Sequence, residues 1–410
     1  MHTGARAARP GSLTSLRAAN HARVLAVLQA SGARTQAELA RATGLAQSTV
    51  SNIVRELAGS GAVSVNRVRR DGRTAQVVRL SRSVGLLAGI DVGHRHLTVG
   101  LADATYEILA HERIPLDADH RAGDCLAEAG RLLDTLVDRI GAARDEVIGI
   151  GMGLPAPIDS RTGEVGAPSI LPGWVGVDAA ALAGKSLGVA VEVDNDANLG
   201  ALAEARWGAG RGARILAYLK LSDGVGAGLV VDGLLHRGPA GTAGEIGHTT
   251  IEEFGAVCRC GNRGCLETLV STGAVLDLLV PRHGPHLTIA DVVARARSGD
   301  AGCLRVLADT GRHIGIGVAN LCNVFNPDRI VLGGELAGAG DLVVEPLHGA
   351  LQRYGIPSAV RAVDIVIAAL GDRSHLLGAV ALGGQVAGQV IASFAGDLNP
   401  GEPDLQAMKD

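Results

Sequence analysis

Aromatic side chains are almost missing: three Phe, three Tyr and two Trp in 410 residues. An interior filled by rings is therefore excluded. With 47% hydrophobic residues and 58 Gly, the chain must pack Ala, Val and Leu cores joined by many tight turns. That is the composition of a folded α/β protein, and at roughly 100–200 residues per domain two or three units are expected. A secretory leader is lacking too, because no apolar segment follows the Arg-bearing start. No uninterrupted apolar run is long enough for a membrane span. The most apolar late stretch, 376–395, is broken by Gln385, Gln389 and four glycines, and it reads as a packed helix. These absences predict a cytoplasmic protein. Cysteine is scarce, with six residues in all, and in a reducing compartment clustered thiols bind metal more often than they form disulfides.

Lysine is absent from residues 1–82, yet that segment is strongly basic. Thirteen Arg stand against Glu38, Glu56 and Asp71, a local charge of +10; the net charge of -4 leaves −14 for the remainder. A basic head on an acidic body suggests that only the head meets a polyanion. Charge alone fits a solvated basic face equally well.

The head has more to offer than charge. Residues 1–12, rich in Gly, Ala, Arg and Pro, read as a disordered basic arm. Apolar spacing at Leu16, Val24, Leu25 and Leu28 predicts a helix ending near Ser31-Gly32. Thr35 and Glu38 form a capping box for a second helix that stops at Gly44. A third helix, Gln47 to Leu57, buries Val50, Ile53, Val54 and Leu57. The strand-like runs Ala62–Val68 and Gln76–Leu80 meet across Asp71-Gly72, a strong hairpin signal. Helix, helix, turn, helix, hairpin is the order of a winged helix-turn-helix, here 13–82. Its reading helix would present Gln47, Ser48, Thr49, Ser51 and Asn52 to base edges. Arg67, Arg69, Arg70 and Arg73 on or near the hairpin suit phosphate or minor-groove contact. The competing reading is a helical bundle used for protein contacts. Hairpin and charge together favour double-stranded operator DNA.

From Leu86 the pattern changes to apolar strands, each ending in a glycine-bearing or polar loop: Leu86–Ile90, Val147–Ile150, Ala190–Val193, Ile215–Leu221 and Arg329–Leu332. Strands alternating with helices predict sheets with helices on their faces, and ligands gather at the strand ends of such folds. Between them lies Cys258-Arg-Cys260-Gly-Asn-Arg-Gly-Cys265, with His248 ten residues ahead. Three thiolates and an imidazole make a closed tetrahedral site, so structural Zn2+ is predicted on His248, Cys258, Cys260 and Cys265. The alternative is three unpaired loop thiols. Cys125, Cys303 and Cys322 stand alone among apolar residues and read as core.

Five segments in order resemble the ROK family (repressors, open reading frames and sugar kinases), and the likeness extends over essentially the whole chain. They are Leu154-Pro-Ala-Pro-Ile-Asp159, Asp194-Asn-Asp-Ala-Asn198, Gly238-Pro-Ala-Gly-Thr-Ala-Gly-Glu-Ile-Gly-His248, the cysteine run continued into Leu266-Glu267, and Asn323-Val-Phe-Asn-Pro-Asp-Arg-Ile-Val-Leu-Gly-Gly334. The resemblance implies a two-lobed, actin-like (ribonuclease-H-like) body with sugar in the cleft, its lobes at 86–198 and 199–400 and a tail at 401–410. It also implies that Asn195, Asp196, Glu245, His248 and Glu267 contact sugar hydroxyls. The chemistry agrees, because polyols need convergent donors and acceptors. His248 would bind metal through one ring nitrogen and offer the other to the sugar.

In family kinases the position of Asp196 is the base that takes the sugar proton. Phosphoryl transfer depends mostly on holding phosphates and metal, and there the sequence departs from the kinases. The first phosphate loop resembles Asp-x-Gly-Gly-Thr in kinases but is Asp91-Val92-Gly93-His94-Arg95 here; the second resembles Gly-Thr-Gly but is Ser222-Asp223-Gly224. His94 adds bulk, Asp223 adds a carboxylate where polyphosphate would sit, and Arg95 offsets part of it. The expectation is a sugar-responsive regulator of carbohydrate genes, a homodimer or homotetramer, without catalysis. An active ATP-dependent sugar kinase with an added DNA head, and an adaptor switched by a protein partner, are the alternatives. The sugar itself stays open among glucose, xylose, mannose and N-acetylated sugars.

Overall fold

The computed structural model describes residues 13–393 apart from 71–72, 82–83, 118–119 and 167–170. The expected basic arm, the Asp71-Gly72 turn and the 401–410 tail lie outside the described residues.

The head is built as the periodicity predicts. It comprises α1 (Leu13–Ser31), β1 (Arg34–Thr35), α2 (Gln36–Thr43), α3 (Gln47–Gly59), β2 (Val63–Arg70) and β3 (Arg73–Leu80). Thr35 and Glu38 form the capping box of α2, and Gly44 ends it in the left-handed region at φ 68. Val24, Leu25 and Leu28 of α1 meet Leu39 and the apolar face of α3 in one core. Leu16 does not join that face; its side chain is exposed. The short β1 was not foreseen, and it pairs with β3 through Arg34↔Val78 and Thr35↔Val77.

The body holds two five-stranded sheets of one plan. The first runs in the order β6-β5-β4-β7-β8 and the second β11-β10-β9-β12-β13. The first uses β4 (Leu86–Val92), β5 (His96–Asp103), β6 (Ile108–Pro115), β7 (Val147–Leu154) and β8 (Val191–Asn195). The second uses β9 (Ile215–Leu221), β10 (Val225–Val231), β11 (Leu234–Leu235), β12 (Arg329–Gly333) and β13 (Asp364–Ile367). In each, an antiparallel meander is extended by parallel strands. Helices α4 (Ala122–Arg139) and α5 (Ala179–Leu187) cover the first sheet, while α8 (Thr272–His283), α9 (Ile289–Arg297), α10 (Ala301–Phe325) and α11 (Asp341–Tyr354) belong with the second. Helix α6 (Asp196–Trp207) leaves β8 and packs on β9 and β10.

The division expected at 198/199 fails for the C-terminal helix, α13 (Ser374–Ser393), which lies across β4 and β7 of the first sheet. Glycine makes this possible. A Cβ on Gly151 would stand 2.0 Å from Ala379 O, and one on Gly149 2.4 Å from Gly383 O. Sequence order therefore misassigns the lobe. No described helix is long and apolar enough to cross a membrane.

Gly151→Val should be severely overpacked and lose at least about 1–3 kcal/mol of stability. Thermal unfolding checks this, and an unchanged midpoint would mean that α13 is not seated on the sheet.

Candidate functional site

The site is assembled from loops held by tight backbone contacts. Asn195 ends β8 and caps α6, its Oδ1 accepting from Ala197 N at 2.9 Å. Asp196 is thereby fixed as the first residue of a helix and is buried. Glu245 precedes, and His248 ends, a single helical turn, Ile246–His248. That turn is pressed onto β10, since a Cβ on Gly247 would lie 2.0 Å from Val225 O. Glu267 opens α7 (Glu267–Val270), and its Oε2 accepts from Val225 N at 2.9 Å. All five expected sugar-contact residues line one cleft between the lobes, with His94, Lys220 and Arg259 beside them.

The thiol cluster adjoins it. One ligand atom each from His248, Cys258, Cys260 and Cys265 lies within 4.8 Å of the others. His248 Nδ1 is 3.6 Å from Cys258 Sγ, and Cys260 and Cys265 Sγ are 3.7 Å apart. The loop closes this tightly because Gly264 is left-handed at φ +67 with Glu252 O where a Cβ would be. The donor set can hold a tetrahedral metal ion. His248 Nε2 faces the other way, 3.7 Å from Glu245 Oε2. A second grouping, His283, Asp300 and Cys303, is accounted for without metal. Asp300 caps α10 through Cys303 N at 2.9 Å and pairs with Arg282 at 3.6 Å.

Two of the pocket's three carboxylates have a cation. Arg259 Nε is 2.9 Å from Glu267 Oε1. The Lys220 ammonium bonds Asp196 Oδ2. Burial opposes the charge on Lys220, but the charge and hydrogen bond of Asp196, with the charges of Asp91 and Asp223, together outweigh it and raise the ammonium above its ordinary range. Burial, and then the charges of Asp196 and Glu267, push Glu245 up to about 7. Lys220 was missed in the sequence; its only signal is a single charge inside the apolar run of β9.

Lys220 also borders a second cleft with Asp91, His96, Arg113, Ser222 and His375. This corrects the picture of the phosphate loops. The ring that occupies the first loop is His96: a Cβ on Gly93 would meet its Cε1 at 2.1 Å, and its Nε2 is 3.2 Å from Asp91 Oδ2. His94 instead turns into the hydroxyl pocket. Arg95 is exposed and borders neither cavity. Asp223 lines neither cleft, its carboxylate accepting from Thr272 Oγ1 at 2.5 Å, but its charge is felt by Lys220 and His94.

On the head, Gln47, Ser48 and Asn52 are exposed along α3, and Thr49 and Ser51 are half-buried. Asn52 Oδ1 accepts from Arg55 at 3.2 Å. Arg67 is exposed on β2; for Arg69, Arg70 and Arg73 only the strand backbone is described.

Burial would raise the Asp91 acid, but the His96 hydrogen bond and the nearby charges of His375, His96 and Lys220 hold it down to about 2, from an ordinary 3.8. A depressed carboxyl stabilises the fold above its unfolded value, and that stability is lost as pH falls toward the folded one. Asp91→Asn should therefore be less stable than wild type above pH 4, with the gap closing between about 3.8 and 2. Chemical denaturation across that range decides it; parallel curves would show that the carboxylate is not held as described.

Comparison with known proteins agrees with this architecture. The ROK family pattern matches residues 87–386 and the MarR family pattern residues 16–74. A xylose repressor of Caldicellulosiruptor bescii is 29% identical, over 91% of this chain and 97% of its own. The DNA-binding transcriptional repressor Mlc of Escherichia coli is 26% identical, over 90% and 94%. A glucokinase of Halalkalibacterium halodurans is 33% identical but covers 71% of this chain and 92% of its own. Among solved structures, a ROK family transcriptional regulator homologous to E. coli Mlc matches with a TM-score of 0.76 and 24% identity, covering 93% and 99%. A Streptomyces griseus ROK glucokinase in complex with glucose and AMPPNP gives 0.65 and 26%, over 73% and 100%. The chain belongs to the ROK family and carries a MarR-type winged-helix domain at its N-terminal side.

Proposed function

We propose that the chain is a sugar-responsive transcriptional repressor of carbohydrate genes, working in the cytoplasm as a homodimer or homotetramer. The observation that carries this reading is the Lys220 ammonium seated on Asp196. Asp196 stands where family kinases keep their base, and a carboxylate held by an ammonium is a poor proton acceptor. His96 packed against Gly93 fills the loop where a phosphate would need open backbone. All five residues expected to meet hydroxyls nevertheless line one cleft, which supports binding without transfer. The two repressors above extend over the head as well as the body, whereas the glucokinase covers less of the chain.

In this reading Asn195, Asp196, Glu245 and Glu267 grip sugar hydroxyls, and His248 donates from Nε2. Zn2+ on His248, Cys258, Cys260 and Cys265 would brace the loop and fix the ring's tautomer. Gln47, Ser48, Thr49, Ser51 and Asn52 read operator bases, while Arg67, Arg69, Arg70 and Arg73 hold the backbone. Retention of Asp196 and the 33% identity to a glucokinase favour an ATP-dependent sugar kinase as the second reading.

A thermal-shift panel of hexoses and pentoses, with and without ATP, separates the two. A sugar that raises the melting point equally in both supports the repressor, and turnover of ATP lost in Asp196→Asn would establish the kinase instead. Stripping metal with a chelator should lower the melting point and weaken the same sugar at least tenfold. If affinity survives metal removal, His248 is not positioned by the ion. Arg67→Ala should reduce the slope of log K against log salt for duplex DNA by about 1; an unchanged slope would remove Arg67 from the phosphate contacts.

A further inference from the structure

We infer that Gln29, near the end of α1, is the joint through which the state of the cleft reaches the DNA-reading helix. The inference rests on the reading of the chain as a sugar-responsive regulator. Two helices run from the cleft to this one residue. Helix α6 starts in the hydroxyl pocket at Asp196, and ten residues on, about 15 Å along the axis, the Arg206 guanidinium donates to Gln29 O. Helix α13 starts beside the second cleft with His375. Nine residues on, about 14 Å, Gly384 O accepts from Gln29 Nε2 at 2.7 Å. Gln29 is thus bonded to one helix by its main chain and to the other by its side chain.

The joint is closely fitted. The Tyr106 hydroxyl hydrogen-bonds with both Arg206 and Gln29. Arg206 Cζ lies 4.3 Å from the centre of the Tyr106 ring and 4.9 Å from that of Trp207. Gly384 leaves no room for a side chain, since a Cβ there would be 2.4 Å from the Tyr106 oxygen. Tyr106 itself sits at φ 68, a conformation that a bulky residue holds only where its surroundings impose it.

The links on either side are equally direct. Fully buried Glu204 of α6 accepts from Leu370 N at 2.9 Å, Ser374 Oγ at 3.0 Å and Ala369 N at 3.2 Å, which ties α6 to the start of α13. A Cβ on Gly378 would stand 2.1 Å from Leu199 O, so the two helices touch backbone to backbone. On the head side, His21 Nε2 and Arg17 Nη2 of α1 reach Glu56 of α3 at 2.7 and 2.8 Å. A hydroxyl group taking Asp196 from Lys220 acts on the first turn of α6. Packed helices respond to such a change by small shifts as rigid bodies, and this shift is delivered to Gln29 and on to the helix bearing Gln47 and Asn52.

Fluorescence anisotropy would be read on a labelled duplex selected by wild-type protein from a random library. Titrations are run without sugar and with saturating D-glucose or D-xylose, whichever raises the wild-type melting point. Wild type should show a sugar-dependent change in DNA Kd of about 5–150-fold. In Gln29→Ala and in Arg206→Lys the factor should fall below about 2. Sugar-free DNA affinity, DNA-free sugar affinity and the melting point should remain near wild type. Retention of the wild-type factor in both variants overturns the inference while leaving the regulator intact. So does a loss of sugar-free DNA binding in both, because Gln29 would then merely hold the head in place. A wild-type protein whose DNA affinity neither sugar alters sinks the sugar-responsive reading, and the inference with it.

Discussion

The architecture depends on one constraint: α13 must lie with its backbone almost touching its neighbours. Gly89, Gly149 and Gly151 clear a path for it on β4 and β7, and Gly378 brings it against α6. Its residues Val380, Ala381 and Ala387 share a core with Val24, Leu25 and Leu28 of the head. The last helix of the chain is therefore the element on which the first sheet, the helix leaving the pocket and the DNA-binding unit all meet. Close approach replaces bulk here, as it must in a chain with so few rings. Removing side chains from the contact costs apolar area, but it gains many short-range dispersion contacts and a fixed spacing.

Charge is handled with similar economy. The pocket brings Asp196, Glu245 and Glu267 together, and like charges at such range cannot all stay ionised without partners. Lys220 and Arg259 neutralise two of them, and Glu245 titrates near neutrality. Under the proposed function, a neutral polyol entering this site would have its hydroxyls met by charged acceptors, which make the stronger kind of hydrogen bond.

Much of this was legible in the sequence because local rules decide it. The capping box at Thr35 and Glu38, the apolar face of α3 and the cysteine spacing each involve residues a few positions apart. The five expected sugar-contact residues come from three separate segments, and only their joint resemblance to a family placed them together; the structure does bring them to one cavity. What escaped was set by contacts remote in sequence. Lys220 is an ordinary lysine until β9 is placed beside α6. His96 was passed over for its neighbours His94 and Arg95 because the bend at 94–95 before β5, not adjacency in sequence, decides which side chain turns into the loop. The assignment of α13 failed for the same reason, since nothing in residues 374–393 names the strands that they cross.

The matching strand plan of the two lobes has a last implication. Asp91 and Lys220 each occupy the sixth position of equivalent strands, β4 and β9, and each feels the other's charge. Here the two equivalent positions carry opposite signs and line one cleft, so an attraction between the two sheets is built into the face along which they meet.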